Sequence, residues 1–499
     1  MSSNPSPAVA ALLSFVFPGT GQIYAGRPLR GVLVALPTLL LVLGAVLVLS
    51  GTINAIGLFT NSQSIAVLLV LNIGFLCYHL AAMLDAYGLA QGQRSLAGRT
   101  ARAPVALAVL VTLTVLLHGS AEAAGLWGSN VLAELMPGHP DVIPRASFEP
   151  LPTPPLATPS PSPSASPTGP SGSPGTTPTM PANAPTPQPS FPPIDASWGP
   201  GQDGRLNIVL LGADAGTGRS SLRTDTMMLL SVDVATGKAA LFGFPRNLVN
   251  VPLPAESRNA YPGGVFPEML SGLWRRAAEQ PGKFPGSDGI GQECSFEWDC
   301  VRGWRAIVGA IQELAGVQVD GMIAVDFVGF VTLVDAVGGV WVDVPAPVYD
   351  ERYHWSDGTR ATIDIKAGCQ KFHGEYALAY ARSRHQDSDY QRMRRQQTVL
   401  QAVRRQFDPI AMLPRINDLL QAARDNLYTT FSQNDIQNLA IVGARVDADR
   451  LYQVRFTPRQ VERLGGLTKI RTRVRHIFGE PEPEPTPRPS NKPASCPPR

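Results

Sequence analysis

Arginines and carboxylates set at the ends of elements, rather than scattered along solvated faces, are where this chain could do chemistry. Projected at about 100° per residue, a helix predicted from Asp389 to Phe407 places Asp389, Arg392, Gln396, Leu400, Val403 and Phe407 on one face. Arg394, Thr398, Gln401 and Arg405 fall on the other. The core-facing stripe thus starts polar and finishes apolar, and an Asp and an Arg that face a core need a partner or a ligand. The plain structural alternative is an internal ion pair between Asp389 and Arg392 at i, i+3. Just upstream, Tyr380-Ala-Arg-Ser-Arg-His385 brings Arg382 and Arg384 to a helix end. Phe244-Pro-Arg-Asn247 puts Arg246 where a strand stops, and Leu222-Arg-Thr-Asp225 puts Arg223 and Asp225 where another starts. Ends of elements are where α/β folds gather ligand groups. Guanidinium forks bind phosphate oxygens bidentately and carboxylates hold a magnesium ion beside them, so a polyphosphate is the ligand these types suit. With 36 Arg against 6 Lys in the chain, abundance says nothing; position carries the signal. No Gly-x-Ser-x-Gly elbow, Walker loop or Cys/His pairing is present, which argues against a hydrolase triad or a nucleotide-driven pump.

The elements that must position these residues occupy only part of the 499-residue chain. Between Arg30 and Asp85 there is no Lys, Arg, Asp or Glu, a stretch long enough for two membrane spans near 31–57 and 65–88. A third apolar run covers 105–126. Arg27 and Arg30 precede the first span, and Arg94, Arg99 and Arg102 lie between the second and third, whereas the intervening loop has no positive charge. The positive-inside rule then expects a multi-pass cell-membrane protein with a cytoplasmic N-terminus and an extracellular C-terminal part. A cleaved signal peptide does not account for three spans. The entry segment Phe17-Pro-Gly-Thr-Gly-Gln-Ile-Tyr-Ala-Gly-Arg27 reads as a glycine-broken half-helix with a structural task.

Of 47 prolines, 17 lie between Pro150 and Pro193 and 8 between Pro481 and Pro498, so neither stretch can pack a core. The expected organisation is therefore a membrane region over 1–128, a Pro/Ser/Thr-rich extracellular stalk over 129–200, a folded domain over 201–478 and a disordered tail over 479–499. Within the folded part, buried strand runs at 206–211, 225–232, 239–244, 321–326 and 340–344 alternate with helices near 303–315, 327–336, 374–382, 390–407 and 415–424. The fold class is α/β, a mixed sheet flanked by helices. The helix 327–336 is apolar around nearly its whole circumference and is expected inside the domain. Cys77 falls in the second span; Cys294 and Cys300 are close enough to close a small loop, and Cys369 and Cys496 remain as a second candidate pair. A net charge of only +3 excludes a nucleic-acid binder resting on bulk basic charge.

Six ordered blocks over about residues 205–405 resemble the LytR-CpsA-Psr family. They are Asn207-Ile-Val-Leu-Leu-Gly-Ala-Asp214, Arg223-Thr-Asp-Thr-Met-Met228, Phe244-Pro-Arg246, Leu333-Val-Asp-Ala-Val-Gly-Gly-Val340, Gly374-Glu-Tyr-Ala-Leu-Ala-Tyr-Ala-Arg-Ser-Arg-His385 and Asp389-x-x-Arg392-x-x-Arg395-Gln-Gln397. The resemblance implies a membrane-anchored phosphotransferase that moves a glycopolymer from a polyprenyl-pyrophosphate carrier to a cell-wall acceptor such as peptidoglycan, forming a phosphodiester, with nucleic acid as no partner. By motif, Arg246, Arg382 and Arg384 would grip the pyrophosphate as the catalytic set. Arg223, Arg392, Arg395 and Gln396 would bind substrate, with Asp389 orienting nearby groups, and Asp214 and Asp225 would hold Mg2+ or another divalent cation. The family's usual Asp after Pro-Arg is Asn247 here, and 248–302 matches only at Asn259-Ala-Tyr261.

The same arginines would serve two other functions. A non-catalytic protein could hold polyprenyl phosphates or wall polymer, and a polyprenyl-pyrophosphate phosphatase would use water as acceptor. The carboxylates favour chemistry over plain anion binding, since anion binding has no use for negative charge beside the phosphates.

Overall fold

A computed structural model describes residues 5–50, 58, 61–92, 102–136, 138, 142–144, 198, 200, 204–214, 222–286, 300–355, 357–384, 388–406, 426–477 and 496. The chain opens with helices α1 (Pro7–Val16), α2 (Thr20–Tyr24), α3 (Pro28–Leu49), α4 (Ser62–Gly92) and α5 (Arg102–Leu135). Strands β1 (Arg205–Asp214), β2 (Arg223–Asp233), β3 (Ala239–Gly243), β4 (Val251–Pro252) and β5 (Val265–Phe266) follow, then helices α6 (Leu273–Glu279) and α7 (Val301–Ala315). Next come β6 (Gly321–Asp326), α8 (Phe327–Ala336), β7 (Val340–Val344), β8 (Val348–His354), β9 (Arg360–Ile365) and β10 (Gly368–Phe372). The chain then forms α9 (Gly374–Arg382), α10 (Asp389–Gln406), β11 (Leu427–Thr429), α11 (Ile436–Arg445), β12 (Tyr452–Arg455), α12 (Pro458–Leu464) and α13 (Thr468–His476). The helix expected at 415–424 and residues 145–197 of the stalk expected over 129–200 lie outside the described residues, while α5 continues as helix to Leu135, past the start assigned to that stalk.

Two compact units divide the chain: Met1–Pro140 with Ala324–Gly339 and Asp408–Ala440, and Asp141–Ile323 with Val340–Phe407 and Ile441–Arg499. The first holds three helices long and apolar enough to cross a membrane, at Pro28–Val48, Gln63–Gly92 and Pro104–Glu134. The last two are longer than the spans expected from the sequence, because helix formers continue past the strictly apolar core. The glycine-broken segment before α3 proves to be a packing device. A Cβ on Gly21 would lie 2.0 Å from the Ala10 carbonyl oxygen, so only glycine admits that approach. The fully buried Gln22 donates from Nε2 to the Ala82 carbonyl at 2.8 Å and to Asp85 at 3.2 Å. Polar groups within the spans face each other, as apolar surroundings require: Asn72 donates to Glu122 at 2.9 Å, and its side-chain oxygen lies 2.8 Å from His118 Nδ1. Helix α8 departs from expectation. Only Gly329, Val334 and Ala336 are buried in it, and Val328 is 41% exposed, so the helix is apolar without being enclosed.

In the second unit the strands run in the order β6-β1-β2-β3-β12. β1 pairs antiparallel with β2, β2 antiparallel with β3, and β12 parallel with β3, which makes the sheet mixed. Every residue of β3 is buried, as an unbroken apolar run in a central strand must be. Trp274 on α6 and Trp304 on α7 meet edge-on at 5.7 Å, and Phe456 packs against Phe242 and Phe244. α7 ends at Gly316, whose φ of 69° is the left-handed cap that glycine adopts without strain. Cys369 on β10 is bonded to Cys496, the second pair named from the sequence. Cys300 is disulfide-bonded as well, while its expected partner Cys294 lies outside the described residues; Cys77 is free.

Candidate functional site

Three segments of the second unit converge on one cluster of charge. The first is the start of β2, whose register sets Arg223 opposite Asp214 at the end of β1. A bulge between Gly212 and Ala213 bends the pair there, and a Cβ on Gly212 would lie 2.9 Å from Thr226, so glycine lets the strands close beside Asp225. The second is the turn after β3. Phe244 still donates its N–H to the Met227 carbonyl at 2.9 Å, but Pro245 ends the ladder and Leu248 N–H closes on its carbonyl at 3.1 Å. That turn aims Arg246 back across the sheet. The third is the first two turns of α10, carrying Asp389, Arg392 and Gln396.

Arg246 is the hub, donating from Nη1 to Asp225 at 2.8 Å and from Nε to Asp389 at 3.2 Å. Burial alone would lower its pKa, but the two carboxylates outweigh burial and raise it. Arg392 lies deeper, 4% exposed. Its Nη1 is 3.5 Å from Asp389, the pair named as the structural alternative, and its Nη2 donates to the Asp225 carbonyl at 3.2 Å. Its Nε is buried with no hydrogen-bond partner among the described residues, and burial lowers its pKa. A guanidinium carries five donors, so this one is enclosed and under-satisfied. Gln396 donates to Thr226 Oγ1 at 2.7 Å, tying the helix to β2 one turn further along.

The remaining candidates are placed differently. Asp214 is 6% exposed at the end of β1, and Arg223 is exposed opposite it. Arg382, half-buried at the end of α9, lies over the Tyr353 ring at 5.6 Å and donates to the His354 carbonyl at 3.4 Å. Arg384 is exposed two residues later. Arg395 turns its guanidinium to the last turn of α9, donating from Nε to the Tyr380 carbonyl at 2.8 Å and from Nη2 to the Ser383 carbonyl. Its observed contacts therefore position α9, and with it Arg382. The buried stripe of α10 differs from the expected one. Arg392, Arg395, Val399 and Ala402 are buried, whereas Leu400 is 36% exposed. The helix is rotated because Arg395 must reach carbonyls of α9 and Gln397 those of Leu241 and Val454, at 3.3 and 3.4 Å. Sequence reasoning missed Thr226, Gln397 and the buried bond from Ser383 Oγ to Asp350 at 2.8 Å, since partners that hold ligand groups in place leave no spacing pattern.

A family model described as the LytR_cpsA_psr family matches residues 186–469. The chain is similar, at 28% identity over 47% of its length and 61% of the other protein, to "Polyisoprenyl-teichoic acid--peptidoglycan teichoic acid transferase TagU" of Oceanobacillus iheyensis. It is 30% identical over 28% of its length to TagV of Bacillus subtilis, covering 39% of that protein. It is 29% identical over 35% of its length to "Probable cell wall biosynthesis protein LcpB" of Corynebacterium glutamicum, covering 30% of it. The match thus spans less than two thirds of each relative. The crystal structure of B. subtilis TagV superposes on 56% of this chain and 98% of its own at 20% identity, with a TM-score of 0.39.

Proposed function

Because the chain belongs to the LytR_cpsA_psr family, we propose that its folded domain is a cell-wall glycopolymer transferase working on a polyprenyl-pyrophosphate donor. The observation that carries the reading is Arg392: a buried guanidinium with an unpartnered Nε, beside a second arginine held by two carboxylates. An enclosed, under-satisfied cation at the ends of strands is stabilised by an anion with several acceptor oxygens, and a pyrophosphate supplies them. In the reaction, an acceptor hydroxyl oxygen on the wall glycan attacks the phosphorus bearing the glycopolymer. The bond from that phosphorus to the bridging oxygen breaks, polyprenyl phosphate leaves, and the hydroxyl proton passes to solvent or a nearby carboxylate. Phosphoryl transfer needs alignment and charge stabilisation more than a protein nucleophile. Arg246 and Arg392 would stabilise the charge developing on the phosphoryl oxygens, Arg382, Arg384 and Arg223 would line the approach, and Asp389 would hold Arg246 and Arg392 in register.

The oxygens of Asp214 and Asp225 are the hard donors that magnesium prefers. No group of three or more metal-ligating side chains gathers among the described residues. Magnesium commonly takes one or two carboxylates and completes its shell with phosphate oxygens and water, so the residues present fit it. When bound, the ion would neutralise charge on the pyrophosphate. Three apolar helices of sufficient length support membrane anchoring, and the arginine asymmetry around them supports a cytoplasmic N-terminus with the domain outside.

The test is to incubate the full chain in lipid nanodiscs with a prenyl-pyrophosphate-linked glycan and peptidoglycan, and to analyse products by mass spectrometry. Transfer gives free prenyl phosphate and a glycan joined to the wall polymer by a phosphodiester. Prenyl phosphate with a free glycan phosphate would replace the reading by a phosphatase. Donor bound but unchanged would replace it by a carrier protein.

A further inference from the structure

Beside the arginines, the β8–β9 hairpin and α9 carry a run of aromatic rings that phosphate chemistry does not use. It starts at Arg382, whose guanidinium lies over Tyr353 at 5.6 Å. Tyr353 meets Trp355 edge-on at 5.3 Å, Trp355 tilts against Tyr376 at 5.6 Å, and Tyr376 meets His373 edge-on at 4.9 Å. Exposure increases along the run. Tyr353 is 5% exposed, Trp355 is half-buried, and Tyr376 is 40% exposed with His373 open beside it. A lone exposed aromatic needs no explanation, but a connected chain of rings whose inner end is a candidate site arginine does.

We infer that Trp355 and Tyr376 form a stacking platform for a pyranose ring of the acceptor glycan, next to Arg382; the inference rests on the transferase reading above. A pyranose presents a face of C–H groups that packs on an aromatic π-face, while its rim of hydroxyls needs polar neighbours. The exposed side chain of His373, 4.9 Å from Tyr376, stands at the edge of the platform and supplies such a neighbour. The choice of acceptor over donor follows from charge. Besides its own sugars, the donor brings a pyrophosphate that Arg246 and Arg392 can hold and an apolar prenyl chain as handles. A wall sugar presenting only a hydroxyl to the reaction brings no phosphate, so ring stacking is what this surface offers it. The order of the rings fits that division: solvent-facing rings lead inward to a ring that carries Arg382. An acceptor sugar on the outer rings would therefore lie near Arg382, which lines the approach in the transferase reading.

The experiment compares wild-type full chain with Trp355→Ala, Tyr376→Ala and the double variant in nanodiscs. The probes are peptide-free glycan strands prepared from peptidoglycan and a prenyl-pyrophosphate-linked glycan. Glycan-strand binding should weaken about tenfold for each ring removed, with donor binding unchanged. Trp355→Phe and Tyr376→Phe, which keep a ring, should retain most of the binding and so separate stacking from misfolding. In turnover, the acceptor KM should rise while the donor KM stays fixed. Equal strand affinity in wild type and double variant overturns the platform, and selective loss of donor binding overturns its assignment to the acceptor. Strand binding is read without turnover, so a chain that binds strands through these rings but transfers nothing would refute the transferase reading and leave the platform standing.

Discussion

Arg392→Met separates a ligand-binding arginine from a structural one, because the two predict opposite changes in stability. The substitution removes an ion pair of 3.5 Å to Asp389 and a hydrogen bond of 3.2 Å to the Asp225 carbonyl. Those are long contacts, and losing them costs about 2 kcal/mol together. Asp389 keeps its partner Arg246, so no carboxylate is stranded. On the other side stands the desolvation of a guanidinium that is 4% exposed with an unpartnered Nε, a penalty of about several kcal/mol that a methionine of similar reach does not carry. Folding stability should therefore be unchanged or rise by about 1–2 kcal/mol. With donor bound the sign reverses: a charge-assisted phosphate contact is lost, worth about 2–4 kcal/mol of transition-state stabilisation, or about 30- to 1,000-fold in transfer rate. Thermal unfolding of the full chain in nanodiscs, with and without prenyl pyrophosphate, measures the first quantity, and transfer kinetics measure the second. A variant that lost about 3 kcal/mol of stability yet transferred at the wild-type rate would make Arg392 a structural ion-pair member and remove the main support for the site.

Arg246→Ala should behave differently, since it removes the 2.8 Å partner of Asp225 and leaves Asp389 only its 3.5 Å pair with Arg392: about 1–3 kcal/mol of stability should go with the activity, whereas Arg382→Ala should lose activity with little change in unfolding midpoint. Asp326, which caps α8 by accepting the Gly329 N–H at 2.7 Å, has its carboxyl pushed up by burial to about 6. A raised folded pKa favours the protonated form, so its contribution of about 2–3 kcal/mol is full below pH 4 and is lost as pH rises through 6. Asp326→Asn keeps an acceptor for the cap and should flatten the stability profile between pH 4 and 6; an unchanged slope would mean another group titrates there. Peptide mapping without reduction should recover Cys369 joined to Cys496, and Cys496→Ser should lower stability by up to about 4 kcal/mol if closing so long a loop restrains the unfolded chain. Protease added to intact cells should release a fragment carrying the folded domain; full protection would overturn the proposed topology.

Periodicity and charge placement were enough for the long apolar elements and for the list of candidates, but not for the short or half-exposed ones, β8, β9, β10, β12 and α11 to α13, whose weak patterns are settled by their neighbours in the fold. The apolar runs without charge could only be membrane-scale helices, and β1, β2 and β3 announced themselves as buried strands bounded by turn residues. The arginines at element ends were visible for the same reason: a charged residue next to an apolar run marks where that run leaves the core. Which of them meet was decided by tertiary structure. Arg246 and Asp389 are 143 residues apart in sequence, and no local pattern pairs them; the turn after Pro245 and the rotation of α10 do. Arg395 looked identical to Arg392 in the motif, three residues away on the same helix. Yet one meets Asp389 and the Asp225 carbonyl and the other the carbonyls of α9, because helix rotation is set by every contact along the helix and not by its apolar residues alone. The same cause left Leu400 at the surface and Gln397 in the core. Composition also misjudged α8, since an apolar circumference tells how costly exposure is without telling how much cover the neighbours provide. The aromatic run from Tyr353 to His373 was invisible for a simpler reason: its rings come from a hairpin and a helix end, brought side by side only when the chain folds.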